Sequence, residues 1–175
     1  TTTSLTGNLP KPGVPYTEVA YEPSPLNRVG ARGGVGEAWK LGNGHEQAQM
    51  ERPNVLGDSV PYYLPGYGTK REDLLFQGFY ADGDLWMTEV RDEDYNLTRT
   101  FVDKEGRTVL RRTSATKTRD LSVAGRPANQ PTIPFVYSWL DTWYVYDDFG
   151  RLRATVPPLA AQRVRANGYA FTGAG

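Results

Sequence analysis

Two stretches of this chain, FVDKEGRTVL from Phe101 and YVYDDFGRLRA from Tyr144, superimpose as an apolar or aromatic residue, Asp, two variable residues, Gly, Arg and a return to apolar positions. The match aligns Asp103 with Asp147, Gly106 with Gly150 and Arg107 with Arg151. An Asp that accepts amide hydrogen bonds and a Gly that supplies a positive φ three residues later define a tight reversal between two strands. A lone two-stranded hairpin is marginal in water, so a reiterated one implies lateral continuation into a sheet. The carboxylates of such a unit are therefore expected to serve turn architecture, and Asp147 is expected to be structural.

The surrounding text agrees with an all-β chain. Residues 1–68 hold 19 of the 32 Gly and Pro residues, a density that helices do not survive. From about residue 77 to 156, short runs rich in Thr, Val and aromatics (LWMTEV, LTRTFV, RTVLRRT, FVYSWL, TWYVY, RLRATV) alternate with turn letters at roughly ten-residue spacing. The expected class is all-β, with antiparallel hairpin repeats forming an extended or spiralling sheet and less than about a tenth of the chain helical. Helical text is confined to AAQRVRA near the C-terminus and a short turn around GHEQAQMERP. The expected organisation is a Gly/Pro-rich region of irregular β and loop over 1–68, hairpin repeats over 69–158 and a connector over 159–175.

Charge and composition exclude several functions. Lys plus Arg equal Asp plus Glu at 20 each, so no net field points to nucleic acid. Zero cysteines remove thiolate catalysis, disulfides and Cys-ligated metal, and the single His45 removes a multi-histidine site within the chain. No apolar run of about 18 residues and no leader-like start are visible, so membrane insertion is not expected.

The tyrosine-aspartate unit YDDFGRL, Tyr146 to Leu152, resembles the YDxxGRL repeat of the rearrangement-hotspot (Rhs), wall-associated and teneurin-like proteins. The ordered blocks YTEVAYEPSPLNRV, VGEAW, RDEDYN, FVDKEGRTVLRR and DTWYVYDDFGRLRATVPP are similar to those of a bacterial subfamily near the start of the repeat region of very large secreted proteins. The resemblance covers about residues 16–158. It departs at Val35, where the family often has Pro, and at Tyr95, where it usually has Gly, so an identical left-handed turn is not expected at Tyr95. It implies a non-enzymatic segment, secreted or at the bacterial cell surface, of a β-sheet shell or stalk that encloses or presents a C-terminal effector. The implied partners are neighbouring YD repeats, effector cargo or a surface glycan, and secretion machinery. No cofactor is implied. The family's self-cleaving motif, DPxGLxGG, has no counterpart here.

Other candidates read as structure. DEDYN, Asp92 to Asn96, begins like a calcium loop but has Leu97 at the sixth place instead of Gly. GARGGVG lacks the Lys-Ser or Lys-Thr of a phosphate loop. His45 reads as an exposed loop residue, and Asn96-Leu97-Thr98 is a three-letter sequon. The acid pairs Asp82/Asp84 and Asp147/Asp148 sit on turns, where a hydrolytic pair needs two carboxyls facing across a cleft. The aromatics Trp139, Trp143 and Tyr144 read first as a ladder filling a sheet face and second as candidate sugar-stacking rings, which makes a carbohydrate- or receptor-binding β-module the alternative function.

Overall fold

The computed structural model describes residues 15–66, 74–119 and 135–171. Of these, half lie in strands and 11% in helix, and the large sheet is antiparallel in its registers, so the class is all-β. The strands are β1 Glu18–Tyr21, β2 Val29–Gly33, β3 Gln47–Pro53, β4 Pro61–Pro65, β5 Leu74–Phe79, β6 Trp86–Arg91, β7 Leu97–Val102, β8 Thr108–Arg119, β9 Phe135–Tyr146 and β10 Leu152–Val156. Eight of them hydrogen-bond in the order β1-β2-β3-β6-β7-β8-β9-β10, while β4 and β5 form a separate hairpin sheet. The order is that of a meander: from β6 onward every strand pairs with its successor in sequence.

Two compact units divide the chain, one formed by residues up to Gln49 with Val90–Tyr95, the other by Met50–Glu89 with the residues from Asn96. The composition break near residue 68 does not coincide with them, because β4 and β5 pair with each other across it. In the first unit β1 and β2 form a hairpin, and β2 pairs with the start of β3.

The second unit holds the core. Met87 from β6, Phe101 from β7 and Trp143 and Val145 from β9 alternate with less buried neighbours, as the period of two in a strand requires, while on β8 the adjacent Val109 and Leu110 are both buried, where the register shifts. Val60 and Tyr63 from the β4 side and Ala161 and Val164 from α1, Pro158–Ala166, close over them. The nine-residue α1, together with the short 3-10 turns Glu37–Trp39 and Leu56–Asp58, brings the helical share of the described residues to 11%, and α1 stands where a connector was expected. Pro158 at its first position has the fixed φ that a helix start tolerates, and Ala161 and Val164, three apart, form the buried stripe.

Beneath α1 lies an ion network. Arg112 on β8 sends Nε and Nη2 to the two carboxylate oxygens of Asp141 on β9, at 2.8 and 2.9 Å. Arg165 of α1 also donates to Asp141 Oδ2, and Arg112 Nη1 reaches the Asp58 carbonyl at 2.9 Å. The pairing is possible because Arg112 and Asp141 are direct partners in the β8–β9 register.

Candidate functional site

The feature that recurs is a hairpin turn. In the first copy the Asp103 amide donates to the Arg107 carbonyl at 2.9 Å and the Gly106 amide to the Asp103 carbonyl at 3.0 Å. Asp103 Oδ1 accepts from the amides of Glu105 and Arg107 at 3.0 and 2.9 Å, and Oδ2 accepts from Arg107 Nε at 2.7 Å. The second copy repeats each bond. Asp147 N meets Arg151 O at 3.0 Å, Gly150 N meets Asp147 O at 2.8 Å, and the Asp147 carboxylate accepts from Phe149 N, Arg151 N and Arg151 Nε at 3.0, 2.9 and 2.9 Å. Gly106 and Gly150 have φ of 80° and 74°, the left-handed conformation that glycine reaches without steric cost.

A β-bulge follows at the same place in both. Val102 faces Thr108 and Phe101 faces Leu110, stepping over Val109; Tyr146 faces Leu152 and Val145 faces Ala154, stepping over Arg153. The extra residue deepens the local twist of the hairpin.

A third copy lies in the Gly/Pro-rich text, where the sequence reading missed it. The Glu22 amide donates to the Arg28 carbonyl at 2.9 Å, and Arg28 Nε and Nη2 donate to Glu22 Oε1 and Oε2 at 2.8 and 3.1 Å. Asn27 takes the left-handed position at φ 48°. Tyr21 faces Val29 and Ala20 faces Ala31, stepping over Gly30. The unit reads Tyr-Glu, four residues, Asn-Arg: the same opening of an apolar or aromatic residue and an acid, and the same left-handed–Arg close, two residues longer. A search that allowed Glu for Asp, Asn for Gly and a variable gap finds it.

Asp92 makes a fourth turn of the same length, with Asn96 in place of the closing arginine. Tyr95 N donates to Asp92 O and Asp94 N to Asp92 Oδ1, both at 3.0 Å. The expectation that Tyr95 abandons the left-handed turn is overturned: its φ is 64°. The guanidinium of Arg91 lies 5.3 Å from the Tyr95 ring centre and the His45 ring meets it edge-on, so packing offsets the strain of a side chain in that conformation.

Consecutive copies in the second unit interlock. Arg107 of one lies 5.1 Å from the ring centre of Tyr146 of the next, and the Tyr146 hydroxyl donates to the Thr108 carbonyl at 3.0 Å. Burial, followed by the charge of Asp103, raises the Tyr146 phenol above its ordinary value, which keeps it a donor. Arg151 stands over its own Phe149 at 5.0 Å, and Phe149 is 80% exposed. Leu152, the last position of the unit, is also exposed.

The two acids of each pair have different surroundings. Burial pushes the Asp147 carboxyl up, but the amide and guanidinium of Arg151 and the amide of Phe149 outweigh it and hold the group below the ordinary carboxylate value. Asp148 is exposed on the adjacent turn position. Asp82 accepts from the Leu56 amide, while Asp84 accepts from Lys104, so that pair is divided between separate partners. Asp147→Ala is expected to lower the urea midpoint clearly, by leaving the Phe149 and Arg151 amides without their acceptor, whereas Asp148→Ala stays within about 0.5 kcal/mol. Equal midpoints for the two variants would refute the turn role.

The glycines give a second prediction. Gly106→Ala forces a side chain into the left-handed region and is expected to cost about 1–2 kcal/mol in denaturant titration. A Cβ at Gly106 meets nothing within 4 Å, but one at Gly150 comes 3.2 Å from Nη1 of Arg107. Gly150→Ala therefore costs more than Gly106→Ala, and the reverse order would argue against the interlock.

The candidate sugar-stacking aromatics separate. Trp143 is 1% exposed, with Tyr63 stacked at 5.6 Å and Tyr169 at 6.2 Å, so the reading of it as a binding ring is corrected to core. It lies on the same alternating row of β9 as the core-facing Val145. Trp139 is half-buried, its ring tilted against that of Tyr137 with centres 5.5 Å apart and the Arg99 guanidinium 4.8 Å from its ring centre. Tyr144 is half-buried and lines a cavity beside the Asp147 turn. His45 is exposed and its Nδ1 lies 3.1 Å from the Glu93 carbonyl. Among the described residues no three His, Cys, Asp or Glu side chains are grouped to hold a metal ion, and no helix is long and apolar enough to cross a membrane.

A family model described as a domain of unknown function (DUF6443) matches residues 2–52, a span that contains the Glu22 hairpin and less than a third of the chain. No curated protein and no solved structure matches.

Proposed function

We propose that this chain is a non-enzymatic structural segment of a secreted or cell-surface YD-repeat protein of the Rhs-like kind, in which its hairpins lay down part of a β-sheet shell or stalk that encloses or presents a C-terminal effector. One observation carries the reading: three hairpins share an acid that clasps the arginine closing its turn, a left-handed residue before that arginine, and a bulge one step beyond. A unit that recurs in this way is suited to extension, because each copy presents the next with the same edge and the same stagger. The seat of Arg107 on Tyr146 supports it, since it ties the arginine of one copy to the tyrosine of the next. Arg151 and Phe149 offer the corresponding exposed surface to a further hairpin.

Electron cryo-microscopy of the intact protein that carries this segment, purified from medium and cell surface, tests the proposal. The expected result is a continuous sheet wall in which the strands over 97–156 are flanked by further hairpins. A free-standing β-domain, or a protein retained inside the cell, overturns it.

A further inference from the structure

We propose that the aromatic face at the end of the β8–β9 pair farthest from the Asp147 turn binds single-stranded nucleic acid. Phe135, Tyr137 and Trp139 follow one another at alternate positions of β9, on the row that becomes core at Trp143. They lie beyond the core cluster, half-buried, with neighbouring ring centres 6.4 and 5.5 Å apart.

The neutrality of the whole chain conceals the charge of this region. The paired strands β7, β8 and β9 carry five basic residues, Arg99, Arg111, Arg112, Lys117 and Arg119, and one acid, Asp141, which already answers Arg112. Glu89 of β6 accepts from Arg99 Nε at 2.6 Å. That bond uses one donor of Arg99. Its Nη1 and Nη2 have no acceptor among the described residues, and the guanidinium lies 4.8 Å from the Trp139 ring centre.

A β-bulge sets cations beside the other two rings. Ser114 faces Trp139, but the register then steps over Ala115, so that Thr116 faces Ser138 and Lys117 faces Tyr137. An unbroken ladder would set Thr116 opposite Tyr137 and turn Lys117 to the other face. Instead Lys117 stands on the ring face, its Nζ 5.6 Å from the Phe135 ring centre, and Arg119 takes the register position opposite Phe135.

A repeating pair of one ring and one cation matches a nucleotide, which brings one flat base and one phosphate charge per step. The ring spacing exceeds the rise of about 3.4 Å between bases along a duplex strand, where each base face is covered by its neighbours, so bases laid on these rings belong to a single strand. An acidic peptide supplies the charge but no flat face at each residue. The site is independent of the repeat architecture proposed above, and either can fail alone.

Fluorescence anisotropy with fluorescein-labelled oligo(dT) and oligo(U) of twelve nucleotides tests it. Both probes are expected to saturate with a Kd of about 1–50 μM at about 50 mM salt, and a duplex of the same length to bind at least about fivefold more weakly. Tyr137→Ala weakens both about fivefold to twentyfold, while Tyr137→Phe, which keeps the ring, stays within about twofold. Lys117→Gln weakens both and flattens the slope of log Kd against log salt by about 0.7. Arg163→Gln removes the same charge from an exposed position of α1 and leaves binding within about twofold, and circular dichroism checks that each variant is folded. No saturation up to about 1 mM protein overturns the proposal, as does a folded Tyr137→Ala protein that binds like the unsubstituted one, or a duplex that binds as tightly as the single strands. Equal displacement of the probes by a twelve-residue oligoglutamate also overturns it, by assigning the face to an acidic peptide.

Discussion

Replacing Asp141 with alanine is expected to lower the unfolding free energy by about 3–5 kcal/mol, because the change strands a buried arginine. Asp141 is 2% exposed, and its carboxylate answers Arg112, itself buried, through two parallel hydrogen bonds, with Arg165 as a second cation. The intact pair adds little over a well-packed apolar substitute, since desolvation consumes most of the Coulomb gain; the large loss arises when one partner remains alone. The double variant Asp141→Leu with Arg112→Met is therefore expected to recover part of the stability, though not all, because Arg112 also serves the Asp58 carbonyl. The pH dependence follows from the same contacts. Burial pushes the Asp141 carboxyl up, but the hydrogen bonds and charges of Arg112 and Arg165 outweigh it and hold the group below the ordinary carboxylate value. A carboxyl depressed in the folded state stabilises the fold above its unfolded value of about 3.9, and that contribution is lost as pH falls through the lower folded value. Urea titrations at neutral pH and below pH 4 measure both effects. A loss under about 1 kcal/mol, or a variant as acid-sensitive as the parent, would mean that the network is not closed around Asp141.

The contrast between Asp147 and Asp141 shows which contacts a sequence exposes. The Asp147 turn is complete within five residues, so its acid, its left-handed glycine and its arginine stand together in the text and were legible at once. Recurrence at Asp103 turned a turn into a unit. Asp141 and Arg112 are 29 residues apart, and only the register of β8 on β9 makes them partners. The hairpin at Glu22 falls between these cases: it is local, but Pro23 and Pro25 lengthen the loop and hide the spacing, and the breaker density that argued against helix also concealed regular strands. Tyr95 shows the limit of arguing from the glycine alone, since Asp92 closes its turn and the contacts of the Tyr95 ring hold a conformation that the side chain disfavours. In β9 the alternation of aromatic residues was legible, but alternation defines two faces without saying which is inside. That choice is made by Tyr63 from β4 and by Tyr169 beyond α1, both far from β9 in sequence.

Trp143 is the place where that choice can be measured. Trp143→Ala is expected to cost about 3–5 kcal/mol, since it removes a large buried ring together with its stacking on Tyr63 and Tyr169. Trp143→Phe separates the ring from its N–H. The indole Nε1 is buried with no hydrogen-bond partner among the described residues, and an unmade buried hydrogen bond costs about 1–3 kcal/mol. Phenylalanine gives up part of the packing but removes that penalty, so Trp143→Phe is expected to unfold within about 1.5 kcal/mol of the parent, far from the alanine variant. A ring held for sugar stacking predicts the opposite pattern, with both substitutions leaving the urea midpoint in place and weakening oligosaccharide binding. Denaturant titrations of the two variants beside calorimetry with a neutral oligosaccharide such as cellohexaose distinguish the cases, because a core residue moves stability first; the gap between alanine and phenylalanine then reports the packing of the ring, and the smaller gap between phenylalanine and the parent reports how far relief of the unanswered donor offsets the packing lost.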